Sequence, residues 1–118
     1  MTEAPQILVV LVTMPDKNSA EQLARSLVEN RLAACVNLLA PCRSIYRWQG
    51  AVEQAEEIPL LIKTARGRYP ELEAFISANH PYDVPEIIAL PLMQGLPQYL
   101  NWVEDMTATE SWKGVECV

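Results

Sequence analysis

The sequence predicts an α+β fold in which a four-stranded antiparallel sheet carries two helices on one face. Three observations predict it: apolar, β-branched runs typical of buried strands, two stretches with apolar residues at helical spacing, and the order of these segments along the chain. That order is βαββαβ followed by a C-terminal helix, and right-handed crossovers on it give the ferredoxin-like arrangement. A chain of 118 residues, half of them apolar, suffices for one domain but not for two.

The first strand and the first helix have the clearest patterns. Residues 7–12 are continuously apolar, which is typical of a strand at the centre of a sheet. Residues 20–28 then carry apolar side chains at i, i+3, i+4, i+7 and i+8, the stripe of a helix that packs on one side. Asp16 is one of several potential N-caps, and Asn30 is the expected left-handed residue at the C-terminal end.

A long hairpin of the second and third predicted strands follows. Residues 33–48 are predicted to form one strand with a kink or bulge near Pro41, and residues 51–64 its partner, joined by a turn at residues 49–50. Pro59 has no N–H to donate to a sheet, so it is expected at an edge or a bulge. Such a hairpin outreaches the helices that cover the sheet.

The second half of the chain supplies the remaining elements. A second helix begins near Pro70 and ends at His80, because a residue before proline avoids helical geometry. Residues 87–92 form the last strand. In the third helix, one apolar face is expected to contain Tyr99, Trp102, Val103 and Met106. Residues 1–118 are taken as a single domain with a core at about 6–106 and a C-terminal extension at 107–118.

Self-association follows from the predicted layers. Two helices cover one face of the sheet, while the other face also carries Val, Leu, Ile, Tyr and Trp side chains. An apolar sheet surface of that kind is expected to be buried against other copies of the chain. The sequence therefore predicts a homo-oligomer.

Composition excludes several classes of function. The net charge is −6 and no basic run is present, which argues against nucleic acid and anionic membranes as partners. The N-terminus has neither the basic start nor the apolar length of a signal peptide, so we expect a cytoplasmic protein. Three irregularly spaced cysteines do not form a disulfide framework. One histidine and no phosphate-binding glycine motif make an enzyme improbable.

Three segments together resemble the CutA divalent-cation-tolerance family, over about residues 6–106. They are 32–37 (LAACVN), 44–50 (SIYRWQG) leading to 62–64 (IKT), and 80–86 (HPYDVPE) followed by 99–102 (YLNW). The resemblance implies a ferredoxin-like, PII-like homotrimer linked to tolerance of copper and other divalent cations, with no generally accepted catalysed reaction.

The resemblance also implies a metal site. In the family, the copper ligands are a cysteine at the end of the first strand and two adjacent histidines before Pro-Tyr. This sequence has Val12 at the first position and Asn79-His80 at the pair, so His80 is the one ligand retained. Copper and zinc sites usually take three or four imidazole or thiolate donors. We therefore expect weak binding of Cu(II) or another divalent cation, with His80 as the metal ligand; the alternative is an ordinary histidine at a helix C-terminus.

A ligand cleft between subunits is the second expected site. Lys63 is expected to meet a carboxylate such as Glu86 or an anionic ligand, with Thr64 bonded to the same ligand and Tyr82 beside them. The aromatic residues expected around the cleft are Tyr46, Trp48, Tyr99 and Trp102, and the alternative for them is interface packing. The acidic residues Glu53, Glu56 and Glu57 are interpreted as a solvated strand face that also blunts edge pairing, and the alternative for them is a cluster that attracts hard cations.

Three functions remain open from the sequence. The first is a trimeric metal-tolerance protein, and the second is a PII-like small-ligand sensor or interaction scaffold that uses inter-subunit clefts and no functional metal. The third is an enzyme that uses Glu86 and Lys63 in one pocket.

Overall fold

The computed structural model describes residues 6–109. The elements are, in chain order, β1 (Ile7–Met14), α1 (Lys17–Glu29), β2 (Cys35–Leu38), β3 (Cys42–Trp48), β4 (Ala51–Ala65), α2 (Tyr69–Asn79), β5 (Ile87–Pro91) and α3 (Pro97–Thr107). Most of the predicted extension, including Trp112 and Cys117, lies outside the described residues. Within residues 6–109, no helix has both the length and the apolar character of a membrane span.

The sheet has the strand order β2-β4-β1-β5, and every neighbouring pair is antiparallel. Helices α1 and α2 share one hydrophobic core on a single face of it. The fully buried members of that core with the largest side chains are Met14, Leu27, Leu60, Ile62, Leu72 and Ile76. The α+β, ferredoxin-like prediction is therefore confirmed.

The long hairpin extends beyond the sheet as a two-stranded ribbon. In β4, residues 58–65 pair with β1, whereas residues 51–57 pair only with β3. At about 3.3 Å per residue this ribbon is roughly 23 Å long, and the molecule measures 52 × 28 × 23 Å. Gln49 and Gly50 form the turn, and both have positive φ (51° and 83°), which matches the twist of a two-residue hairpin.

A β-bulge separates β2 from β3. Between the pairs Leu38–Leu60 and Cys42–Glu57, residues 39–41 lie opposite only residues 58–59 of β4. The extra residue confirms the predicted bulge near Pro41, and it places Pro59 beside the bulge as expected. Because side chains alternate between faces, one extra residue reverses the face that odd and even positions take.

Of the two caps predicted for α1, the N-terminal one is confirmed and the C-terminal one is not. Asp16 is the N-cap, and its carboxylate accepts a hydrogen bond from the Ser19 amide at 2.8 Å. Asn30 is not left-handed (φ −91°); Arg31 is, at φ 58°. The prediction for Asn30 was wrong because its side-chain amide donates to the Ser26 carbonyl at 2.8 Å, so the reversal comes one residue later.

Helix α3 covers one end of the second sheet face. Its buried residues are Leu100, Val103 and Thr107, so the predicted face was wrong: Val103 is buried, but the two aromatic residues and Met106 lie on the adjacent, exposed stripe. The smaller side chains allow the helix to approach the sheet closely. The rest of this face stays open, and on β5 the exposed fractions of Ile88 and Leu90 are 50% and 61%.

Candidate functional site: a cleft beside the hairpin ribbon

The main cleft lies where the hairpin ribbon leaves the sheet, and its volume is about 750 Å³. Its walls are one face of β3, the end of β1 at Thr13, Glu57 on β4, and the loop at residues 81–86. Strand alternation places Ser44, Tyr46 and Trp48 on the same side of β3, toward this cleft. Four predicted site residues therefore line one cleft within a single chain: Tyr46, Trp48, Tyr82 and Glu86.

His80 attaches the cleft loop to the sheet. Pro81 follows it, and α2 ends at Asn79, with His80 in extended geometry (φ −97°, ψ 139°). The backbone amide of Tyr82 donates to Nδ1 at 3.1 Å, so Nδ1 carries no proton in this arrangement. Nε2 lies 2.8 Å from the carbonyl oxygen of Thr13 and donates to it. A neutral imidazole thus has both ring nitrogens hydrogen bonded to backbone.

This hydrogen bonding bears directly on the predicted metal ligand. A metal ion at either nitrogen of His80 would have to displace a backbone partner. Among residues 6–109, no group of three or more His, Cys, Asp or Glu side chains is placed to hold a metal ion. Val12 is fully buried in the core, and the Asn79 amide donates to the Phe75 carbonyl at 2.8 Å.

Glu57 is the site residue that sequence reasoning missed. It belongs to the acidic run interpreted as a solvated face, and Glu53 and Glu56 are indeed exposed, but only 6% of Glu57 is exposed. Its Oε1 accepts a hydrogen bond from the Ser44 hydroxyl at 2.6 Å, and its Oε2 accepts one from the Tyr82 hydroxyl at 3.0 Å. The interpretation was wrong for Glu57 because this carboxylate points into the cleft, not into solvent.

A signal for Glu57 is present in the sequence. It directly precedes the apolar stretch at residues 58–62, where the strand enters the sheet, whereas Glu53 lies far out on the ribbon. A carboxylate at the boundary between solvated ribbon and buried strand is the member of an acidic run with the strongest reason to have hydroxyl partners.

Tyr82 couples this carboxylate to the loop. Burial raises the pKa of Tyr82, and the hydrogen bond to Glu57 and the negative charge of that carboxylate add to the rise, so that together they bring it from an ordinary 10.0 to about 12. The ring of Tyr82 also packs against that of His80, with centroids 4.8 Å apart. The hydroxyl is therefore held in its protonated, hydrogen-bond-donating form over the whole physiological range.

Lys63 and Thr64 lie elsewhere. Within one chain, the Lys63 ammonium donates to the side-chain oxygen of Asn37, whereas the carboxylate partner expected in a cleft between subunits stays a prediction. Thr64 is fully buried, and its hydroxyl donates to the Leu32 carbonyl at 2.7 Å. Adjacent strand residues point to opposite faces, which is why the two cannot bind the same ligand. Lys63 lies six positions along β4 from Glu57, about 20 Å of strand, so one chain does not bring Lys63 and Glu86 into one pocket.

Tyr99 and Trp102 also lie outside the cleft. They are neighbours on the exposed stripe of α3, with ring centroids 5.6 Å apart. Burial raises the pKa of Tyr99, and the adjacent Cys35 thiol on β2 adds to that rise. This second cluster borders the open face of the sheet rather than the cleft.

Comparison with known proteins places this geometry in context. Residues 8–106 match the family model described as "CutA1 divalent ion tolerance protein". A "Divalent-cation tolerance protein CutA" of Thermus thermophilus is 48% identical over 99 residues, which is 84% of this chain and 96% of that protein. "Protein CutA" of Mus musculus is 44% identical over 108 residues; the match covers 92% of this chain but 61% of the mouse protein.

Solved structures show the same fold. The Thermus thermophilus divalent cation tolerance protein superposes with a TM-score of 0.84 at 47% identity, covering 86% of this chain and 99% of the other. The CutA1 of Oryza sativa superposes with a TM-score of 0.86 at 42% identity, covering 92% and 98% of the two chains.

Proposed function

Because the chain belongs to the CutA1 divalent-ion tolerance family, we propose that it acts as a homotrimer in the tolerance of divalent cations, without catalysing a reaction. The family match over residues 8–106 carries this proposal. The cation is Cu(II) or another divalent ion, bound weakly, and the site of action is the cytoplasm.

Two features of the fold support self-association. Ile88 and Leu90 leave an apolar surface on the open sheet face, and surfaces of that kind favour burial by other copies. Among residues 6–109, the part of β4 in the hairpin ribbon (residues 51–57) pairs with β3 alone. An isolated two-stranded ribbon is marginally stable in water, so contact with a second copy would stabilise it.

Weak metal binding follows from the position of His80. It supplies one imidazole per chain, and that imidazole must give up a hydrogen bond to Thr13 or to the Tyr82 amide before it coordinates an ion. Binding at this residue is therefore expected to move the loop at residues 81–86, which forms one wall of the cleft. Such a coupling would let the protein respond to the ion.

Calorimetric titration with Cu(II) tests the metal site. We expect heat from the native protein, loss of that heat in His80→Gln, and its retention in Asn79→Ala, which removes an exposed neighbour without an imidazole. Glutamine at residue 80 retains an N–H group that can reach the Thr13 carbonyl, which protects the loop. Absence of heat in the native protein, or an unchanged titration in His80→Gln, would reject His80 as the ligand.

A small-ligand sensor or interaction scaffold is the second candidate function. The observation that favours it is the cleft of about 750 Å³, a size typical of small-molecule sites. This candidate needs no functional metal and predicts that the His80→Gln variant keeps its ligand.

A further inference from the structure

All the charged side chains that line the cleft are carboxylates, so its charge is negative. Its lining contains three carboxylates and no lysine, arginine or histidine. The carboxylates come from two elements: Glu57 lies on β4, and Asp83 and Glu86 lie on the loop at residues 81–86. The cleft is therefore anionic whatever the exact position of each exposed side chain.

Glu57 carries a buried negative charge without a cationic partner. Within residues 6–109, the single ion pair is Arg68–Glu71, which is on a different part of the molecule. The two hydroxyls of Ser44 and Tyr82 occupy one lone pair on each oxygen of Glu57, and a carboxylate has further acceptor sites. A buried carboxylate of this kind is costly by itself, and a cation that reaches it offsets the cost.

The walls of the cleft favour an organic cation over a metal ion. No group of three or more potential ligands converges within the described residues, and the volume far exceeds that of an ion with its ligands. Tyr46 and Trp48 present half-exposed aromatic rings along one side, with exposed fractions of 44% and 41%. Aromatic faces attract ammonium groups and also bind the apolar part of a ligand.

We infer that this cleft binds a small organic cation, an ammonium group attached to an apolar body. The ammonium group lies against Glu57, where it meets the carboxylate that Ser44 and Tyr82 hold in place. The apolar body lies between the rings of Tyr46 and Trp48 on one wall and the loop on the other. Asp83 and Glu86, at the exposed rim, add attraction for the charge.

This inference supplies a ligand class for the sensor candidate and rests on no metal. It concerns Glu57 and the aromatic wall, whereas the metal proposal concerns His80. Failure of ammonium binding would leave the Cu(II) titration and its variants fully interpretable. Failure of the Cu(II) titration would likewise leave the ammonium test intact.

The test uses a pair of probes that differ in charge and little in shape: phenethylammonium and its neutral counterpart 2-phenylethanol. Calorimetry on the full-length protein measures both. We expect the ammonium compound to bind at least about tenfold more tightly than the alcohol, a difference of about 1.4 kcal/mol. Trp48→Leu is expected to weaken both probes, because it removes an aromatic wall that either one contacts.

Glu57→Gln and Glu56→Gln are the matched variants. They remove the same charge from adjacent residues of β4, but Glu57 lines the cleft and Glu56 is exposed outside it. In Glu57→Gln most of the preference for the ammonium compound should be lost, whereas Glu56→Gln should retain it. If Glu57→Gln does not fold by circular dichroism, the exposed double variant Asp83→Asn/Glu86→Gln should still reduce the preference at least about threefold.

Several results would overturn the inference. Equal affinity for the two probes, or no heat from either at millimolar concentration, would exclude a cation site. If a folded Glu57→Gln variant keeps the full preference for the ammonium compound, the carboxylates do not form the cation site. The same conclusion follows if Glu57→Gln does not fold and the Asp83→Asn/Glu86→Gln variant keeps the full preference. Mg²⁺ or Cu(II) binding that is tighter than that of the ammonium compound and is lost in Glu57→Gln would assign the cleft to a metal ion instead.

Discussion

Replacing both Ile88 and Leu90 by lysine is expected to convert the proposed trimer into folded monomers. Both side chains lie on the open face of β5, opposite the face that packs against α1 and α2. In a single chain they are 50% and 61% exposed, so lysines at these positions disturb little of the monomer fold. In an assembly that covers this face, they would bury charge without a partner.

The magnitude follows from the exposed fractions. Complete burial of an isoleucine or leucine side chain contributes about 1.5–3 kcal/mol, and about half of that is still available here, on the order of 0.75–1.5 kcal/mol per side chain. Over six such side chains in a trimer the loss is on the order of 4.5–9 kcal/mol. The cost of desolvating the ammonium groups adds to it. A change of that size raises the dissociation constant of the trimer by about three to six orders of magnitude, and the protein concentration at which it half dissociates by about half as many orders.

Sedimentation velocity at micromolar concentration measures the change, and far-ultraviolet circular dichroism verifies that the fold persists. Val28→Lys is the matched control: Val28 is 44% exposed, but it lies on α1, on the other side of the molecule. We expect this control to sediment as the native trimer. A native protein that sediments as a monomer, or a double variant that remains trimeric, would refute the reasoning.

Three further predictions concern single groups. Tyr82 should ionise near pH 12 in a near-ultraviolet absorbance titration, and closer to its ordinary value of 10.0 in Glu57→Gln; a titration that the substitution leaves unchanged would contradict the contact. Because folding raises this pKa, the stability associated with it is fully present below pH 10.0 and is lost as pH rises through about 12. Thr64→Val should lower the free energy of unfolding by about 1–3 kcal/mol at fixed protein concentration in urea, since the Leu32 carbonyl loses a buried hydrogen bond, and an unchanged midpoint would contradict this. Asn79→His should raise Cu(II) affinity by at least about tenfold in calorimetry, because a second tethered imidazole binds intramolecularly, and an unchanged affinity would argue against a site at this loop.

Much of the fold was predictable because local chemistry and long-range packing agree. Residues 7–12 are apolar enough to be central, the turn at residues 49–50 has a glycine where φ must be positive, and Pro41 and Pro59 mark the bulge. Helix α3 was predicted, but its buried stripe was not. Two adjacent stripes on it have comparable apolar character, and only the space available at the sheet decides between them.

The site was less accessible to sequence reasoning. Tyr46, Trp48, Tyr82 and Glu86 do meet in one cleft. Grouping Lys63 with Thr64 ignored the alternation of a strand, which separates adjacent residues whatever their chemistry. The local pattern marks Glu57 as the boundary residue of the acidic run, but its burial depends on the loop at residues 81–86, which is distant in sequence, so the pattern does not identify Tyr82 as its partner.

The length of the turn at residues 49–50 selects the chemistry of the neighbouring cavity. It fixes the register in which Cys42 pairs with Glu57, so the even-numbered side chains of β3, Ser44 to Trp48, lie on the face of Glu57, while Arg43 and Arg47 lie on the other. Adding one residue to this turn would shift that register by one and present guanidinium groups where aromatic rings now stand. Loop length at this one point thus decides whether the recess attracts positive or negative ligands, and a length change there would be a simple evolutionary route from one preference to the other.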